Sequence, residues 1–201
     1  MTENTAQDLV LDFLSGAEGH RLRTGGGRDH ALLKAVGAKG VNSSSVVDAT
    51  AGLGRDSFLL ASMGLSVTMI ERSTDVHALL TDALARAAAS GAEVAAIVDR
   101  ITLRHGDAKA ILPSLQADVV MVDPMHPPRK NSALVKKDMR LLRQLVGADP
   151  DALDLMQVAL AAAAKRVVLK WPLRADALVG LQKPSHQITG KTVRYDVFMT
   201  G

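Results

Sequence analysis

Short apolar runs, each ending in a turn rich in glycine or carboxylate and followed by a stretch of helical period, recur along most of the chain. Residues 9–13 (LVLDF) alternate like a short strand, and Ala31 to Val36 read as a short helix ending near Gly37 and Gly40. The regular rhythm then begins. Val46 to Thr50 is a β-prone run before Gly52 and Gly54, and Arg55 to Met63 a helix closed by Gly64. Ser66 to Glu71 is a second buried strand, and Ser73 an N-cap for a helix reaching about Ser90. Arg100 to Arg104 and Asp118 to Asp123 give a third and a fourth strand. Asp151 to Ala164 is a helix and Arg166 to Lys170 a fifth strand. Gln187 to Thr189 and Val193 to Met199 form a terminal hairpin around Gly190-Lys191. Strands alternating with helices predict right-handed crossovers and a parallel sheet. Ligands of such sheets lie over the carboxyl ends of the strands, where strand order reverses. That rule selects Thr50 to Asp56, Glu71-Arg72, Gly106 to Ala108 and Asp123 to Pro128.

Composition narrows this picture. The length of 201 residues suits one ordinary domain, and 47% hydrophobic with 22% charged residues excludes a disordered or collagen-like chain. One Trp, one Tyr and three Phe leave the core to Leu, Val, Ile, Ala and Met, as in a parallel sheet under alanine-rich helices. The absence of cysteine excludes disulfide scaffolds, thiolate metal sites and cysteine nucleophiles. The N-terminus shows no secretory signal, and the longest apolar tract, Ala159 to Ala164, is far below the ~18 residues of a membrane span. A cytoplasmic, membrane-free protein is expected. The formal net charge is +3, but His126 to Arg143 alone carries an excess of five positive charges. A local excess of that kind points to a polyanionic partner, the alternative being a solvated helix face.

The run Asp48-Ala49-Thr50-Ala51-Gly52-Leu53-Gly54-Arg55-Asp56 places glycines between a strand and a helix, where backbone amides can meet a ligand. Glu71 ends the next strand and can accept hydrogen bonds from both hydroxyls of a ribose. Nicotinamide and S-adenosylmethionine enzymes share this arrangement. Ser57 stands where a dinucleotide site wants its third glycine. Asp48 and Asp56 suit a cationic amino-acid tail better than a diphosphate, so the S-adenosylmethionine reading is favoured. Asp107, after the third strand, can accept from an adenine amine, or serve only as a turn residue.

The fourth strand ends in Asp123-Pro124-Met125-His126-Pro127-Pro128. An exocyclic amine on a nucleobase is a poor nucleophile because its lone pair is delocalised. A carboxylate and a backbone carbonyl can accept its two N–H bonds and aim it, while proline stiffens the turn. Asp123 and Pro124 are therefore candidate catalytic residues, with His126 either a stacking partner for the base or a surface histidine. The six scattered histidines have no ligand spacing, and no G-x-S-x-G elbow is present, so neither a metal centre nor a serine hydrolase is expected.

Val46 to Asp56 (VVDATAGLGRD), Ile70-Glu71-Arg72, Val122 to Arg140 (VDPMHPPRKNSALVKKDMR) and Gly25 to Arg28 closely resemble the RsmJ family, small-subunit ribosomal RNA methyltransferases that act on guanine N2. The glycine run is common to a superfamily; the Asp-Pro-Met and Ser-Ala-Leu-Val-Lys-Lys segment is specific. The resemblance runs from about Asp12 to the C-terminus. It implies a class I methyltransferase fold: α/β, Rossmann-like, a doubly wound and mostly parallel seven-stranded sheet with an antiparallel C-terminal hairpin. Residues 1–40 would be a short N-terminal extension with a basic glycine-rich loop, and 41–201 the methyltransferase domain. Cofactor contacts fall at Arg55-Asp56, Glu71-Arg72, Asp107-Ala108 and Asp123, alongside Asp48, Gly52 and Gly54. The implied partner is small-subunit ribosomal RNA, free or in the assembled subunit, gripped by Arg21, Arg23, Arg28, Arg129, Lys130, Lys136, Lys137 and Arg140. Two departures stand out. The family carries some tens of residues before the LVLDF run, where this chain has eight, and a phenylalanine commonly occupies the place of His126. The competing readings are a noncatalytic RNA-binding or ribosome-assembly protein on the same fold and a small-molecule amine methyltransferase.

Overall fold

The structure, a computed structural model, describes residues 10–15, 30–38, 45–125 and 150–201. After α1 (Ala31–Val36) come β1 (Ser45–Asp48), α2 (Arg55–Ser62), β2 (Ser66–Glu71), α3 (Thr74–Ala88), α4 (Ala92–Val98) and β3 (Ile101–His105). They are followed by α5 (Ala108–Ile111), a 3-10 turn (Leu112–Ser114), β4 (Ala117–Val122), α6 (Ala152–Ala162), β5 (Ala163–Pro172), β6 (His186–Thr189) and β7 (Val193–Met199). The seven strands form one sheet in the order β3-β2-β1-β4-β5-β7-β6. β1 pairs in parallel with β2 and β4, as do β2 with β3 and β4 with β5, whereas β7 runs antiparallel to β5 and β6. Strand order therefore reverses between β1 and β4, which opens a crevice above their carboxyl ends.

The central strands read as unbroken apolar runs because helices cover both faces. One face buries Val46, Met69, Met121, Val168 and Tyr195 beneath Leu32, Leu60 and Leu80. The other buries Val47, Ile70, Val120, Val167 and Trp171 against Leu112 and Met156. α3 turns Val76, Leu80, Ala83, Leu84 and Ala87 inward, a helical stripe, and its Ser73 side chain accepts from the Val76 amide as expected of an N-cap. α6 buries Ala152, Leu155, Met156 and Ala159, and small alanines let it lie close to the sheet. It passes into β5 with no intervening residue, and β5 then carries a register shift where Ala117 pairs with Ala163 but Val119 with Arg166.

One expected strand is absent. Residues 10–15 form irregular chain, not a ladder, although Leu11 and Phe13 are buried. Their alternation reflects two side chains plugged into the core from an irregular segment: the Phe13 ring stacks on Phe58 at 4.6 Å, and the Leu14 amide donates back to the Asp12 carboxylate. The sequence reading also passed over α4 and α5. α4 buries only Ile97, so it shows no stripe, and α5 is a single turn behind the cap of Asp107. No helix among the described residues is long and apolar enough to cross a membrane.

Candidate active site

The crevice over β1 and β4 is a cleft of about 510 Å³. Its wall begins at the glycine turn. Gly52 and Gly54 have φ of 52° and 68°, in the left-handed region that glycine occupies without strain. At Gly54 a Cβ would lie 2.7 Å from Met69 Cε and 2.8 Å from Leu80 Cδ2, so any other residue would have to displace both side chains while holding a left-handed φ. Ser57, at the place of the missing third glycine, is wholly buried, and its hydroxyl donates to Asp48 Oδ2 at 2.6 Å. The serine holds a carboxylate beneath the turn, which explains why a glycine is not required. Asp48 Oδ1 accepts from the Thr50 amide at 3.1 Å. Burial nevertheless pushes the Asp48 carboxyl up to about 7, against the Ser57 and Thr50 hydrogen bonds and with help from the nearby charges of Asp56 and Asp123.

Glu71 closes β2 at the cleft with 4% exposure. Its Oε2 accepts from the Gly52 amide at 2.9 Å and its Oε1 from the Ser73 amide at 2.8 Å. Burial raises its pKa, and these two amides partly oppose the rise. Each carboxylate oxygen has a second lone pair, so the pair of oxygens can still receive a diol. Asp107 also lines the cleft and caps α5, its Oδ1 accepting from the Lys109 amide at 2.8 Å. Lys109 reaches onward to the Asp151 carboxylate, which Arg72 also approaches at 3.4 Å. The Lys109 hydrogen bond lowers the Asp151 pKa and in turn raises that of Lys109. Arg55 and Ala108 belong to the same lining.

At the other end, the Asp123 amide donates to Thr50 Oγ1 at 2.7 Å, tying the tip of β4 to that of β1. Lys170, near the end of β5, places its ammonium 2.6 Å from Asp56 Oδ2 and 2.9 Å from Asp123 Oδ2. Burial opposes its charge, but the Asp123 and Asp56 carboxylates outweigh that and raise its pKa above the usual lysine value. Pro124, Met125, Trp171, Val193 and Tyr195 complete this end. Trp171 donates to the Asp176 carbonyl at 2.8 Å. Buried Arg194, paired with Asp196 at 3.0 Å, donates to the Pro172, Leu173 and Ala175 carbonyls and fixes the turn after β5.

The structure thus gathers Asp48, Gly52, Gly54, Arg55, Asp56, Glu71, Arg72, Asp107, Ala108, Asp123 and Pro124 around one cleft. His126, Arg129, Lys130, Lys136, Lys137, Arg140, Arg21, Arg23 and Arg28 lie outside the described residues. The strand-end rule selects Thr50 without giving it a role; sequence reasoning missed Lys109, Asp151 and Lys170. A signal for Lys170 existed: it is the charged residue at the tip of the fifth strand, and the strand-end rule had been applied only to the first four.

Among the described lining residues six carboxylates face four lysine and arginine side chains. A diphosphate is repelled by such a wall. A sulfonium with an amino-acid ammonium is attracted, with Glu71 placed for the ribose hydroxyls, so the donor set fits S-adenosylmethionine. Among the described residues no group of His, Asp and Glu side chains could hold a metal ion.

The comparisons agree with this geometry. A family model described as putative SAM-dependent methyltransferase matches residues 1–200. A protein of Rhodopseudomonas palustris called ribosomal RNA small subunit methyltransferase J is 65% identical over 191 residues, 95% of this chain and 87% of its own. Another of the same name from strain TIE-1 is 61% identical across 99% of this chain and 98% of its own, so the relatives include chains of nearly this length. The crystal structure of a SAM-dependent methyltransferase from Neisseria gonorrhoeae superposes with a TM-score of 0.74 and 38% identity, over 96% of this chain and 74% of that one. The expected seven-stranded methyltransferase fold is therefore present, S-adenosylmethionine is the cofactor of this enzyme, and the chain belongs to the ribosomal RNA small subunit methyltransferase J family.

Proposed function

We propose that this methyltransferase acts in the cytoplasm on the exocyclic N2 amine of a guanosine in small-subunit ribosomal RNA, free or assembled. The observation that carries the reading is the place of Asp123-Pro124. It stands at the tip of β4 beside the cofactor cleft, and leads into the basic segment that holds Arg129, Lys130, Lys136, Lys137 and Arg140. When bound, S-adenosylmethionine supplies an electrophilic methyl group. Glu71 and Asp107 hold its adenosyl end, and Asp48, Arg55 and Asp56 border its amino-acid end. The Asp123 carboxylate and the Pro124 carbonyl accept the two N–H bonds of the amine and direct its lone pair toward the methyl carbon.

A paired base cannot reach the cleft, so the guanine must leave the stack. His126 would support the flipped base by stacking. The basic side chains after Pro128, with Arg21, Arg23 and Arg28 of the 1–40 extension, would hold flanking phosphates. The deciding experiment is a labelled-methyl transfer assay on naked small-subunit RNA, isolated small subunits and small amines, with the modified nucleoside identified by mass spectrometry. N2-methylguanosine in either RNA sample is expected. Label in small amines alone would replace this reading with that of a small-molecule enzyme.

A further inference from the structure

β4, β5 and β7 lie side by side at the acceptor end of the sheet. Val122 pairs with Leu169, so Asp123 and Lys170 share the next rung, and Lys170 pairs in turn with Tyr195. Thr50 joins the same level from β1 through its bond to the Asp123 amide. Side chains on one rung of a sheet point to one face. This rung therefore delivers a hydroxyl, a carboxylate, an ammonium and a phenol to the floor of one cleft. Asp56 reaches it from the first turn of α2 and Asp48 lies one pleat below on β1. Two carboxylates, Asp56 and Asp123, thus converge on a single ammonium. Its side chain is only 21% exposed, which strengthens each interaction over one in open water.

We propose that Lys170 is a positioning residue for methyl transfer: bridging Asp56 and Asp123, it fixes the carboxylate that aims the acceptor amine and keeps that carboxylate from serving as a base. The proposal rests on the reading of Asp123 as the amine's orienting group. Mutual repulsion of Asp56 and Asp123 would swing Asp123 away from the amine or draw a proton onto it, and a protonated carboxyl is a poorer acceptor. With the ammonium bridging them, Asp123 keeps one direction. In the transfer the amine's lone pair forms the new N–C bond and the S–C pair stays on sulfur. The surplus N–H proton passes to water, because a carboxylate already paired with an ammonium is a weak proton acceptor. Asp123 thus orients and stabilises developing positive charge, and does not store the proton.

The test compares wild type with Lys170→Met and Lys170→Arg. Single-turnover methylation of small-subunit RNA is followed across pH 5–9, and S-adenosylmethionine affinity is measured by calorimetry. Lys170→Met is expected to slow the methyl-transfer step by about 10²-fold, as for loss of one preorganised electrostatic contact. Cofactor affinity should change by less than about fivefold, a rate-against-binding split that general damage to the fold would not give. Lys170→Arg should recover most of the loss. Lys170→Met should also acquire an acidic limb in its pH–rate profile that wild type lacks, as Asp123 regains the ability to bind a proton. The proposal is overturned by a Met variant within threefold of wild type, by a loss carried wholly by cofactor affinity, or by unchanged pH profiles. If Lys170→Met does not fold, Lys170→Gln, which keeps a polar head but removes the charge between the two carboxylates, poses the same question. If wild type methylates no RNA, the substrate reading falls while Lys170 stays testable: the carboxyl carbon signal of Asp123 must titrate at higher pH in the Met variant than in wild type, and coincident titrations would end the proposal.

Discussion

At the tips of β1 and β2 the glycine turn and Glu71 build the cleft wall from stretches close in sequence, whereas at the tips of β4, β5 and β7 it is made by residues far apart. Glu71 meets the Gly52 amide across 19 positions, while Lys170 meets Asp56 across 114. In the first region a left-handed turn sets the Gly52 amide against the Glu71 carboxylate, so its geometry follows from a short motif. The second depends on strand register, because only the alignment of three strands brings Asp123, Lys170 and Tyr195 to one rung. A common cofactor can be held by a portable turn. An acceptor specific to one enzyme is held by the sheet itself.

Substitutions can break this division, and the largest effect is expected at the acceptor end. Asp123→Ala should lower turnover by about 10³-fold, with much less change in cofactor affinity. Near-normal methylation by that variant would discard the role given to Asp123. Next comes Asp48, under the border of the two regions. Its folded-state pKa of about 7 lies above the ordinary 3.8, so its stabilising contribution is complete below about pH 4 and is lost as pH rises through 7. Asp48→Asn should flatten stability over that window and leave the variant more stable than wild type at pH 8, by up to about 4 kcal/mol. Urea midpoints at pH 5 and pH 8 measure this, and parallel shifts at both would refute it.

Glu71→Ala should weaken S-adenosylmethionine about 10²-fold, near 2.7 kcal/mol, since two hydrogen bonds to a charged acceptor vanish. Turnover at saturating cofactor should stay close to wild type. An equal loss in both would dissolve the separation between the halves. The smallest effect is expected outside both. Charge reversal of Lys136 and Lys137 should weaken RNA binding and reduce its salt slope by about two units while calorimetry finds cofactor affinity intact. A matching fall in cofactor affinity would move that segment into the structural core.

The same division governs what could be read from the chain alone. The alternation of buried strands and helices, the Ser73 cap, the glycine turn and Glu71 were legible because each is a local pattern with a physical cause. Asp123 was legible because proline follows it at a strand tip. Lys170 was not singled out, because a lysine ending an apolar run reads as solvent-facing until the strand beside it is known. Leu11 and Phe13 misled for a related reason: two alternate apolar residues can be buried from irregular chain as well as from a strand, whether or not a neighbouring strand accepts hydrogen bonds.

The direct passage of α6 into β5 gives the alanine tract an unexpected strictness. Asp151 at the start of this helix–strand unit grips Lys109 and Arg72, and Lys170 near its end grips Asp56 and Asp123, so one continuous piece of chain latches both ends of the cleft. With no loop at residues 162–163, the register shift between Ala163 and Arg166 is the place where a change in length can be taken up, and one residue inserted beyond it would turn Lys170 to the opposite face of the sheet. The tract should accept many small apolar residues in exchange for its alanines, while the strand between Arg166 and Lys170 should tolerate neither a gain nor a loss of one.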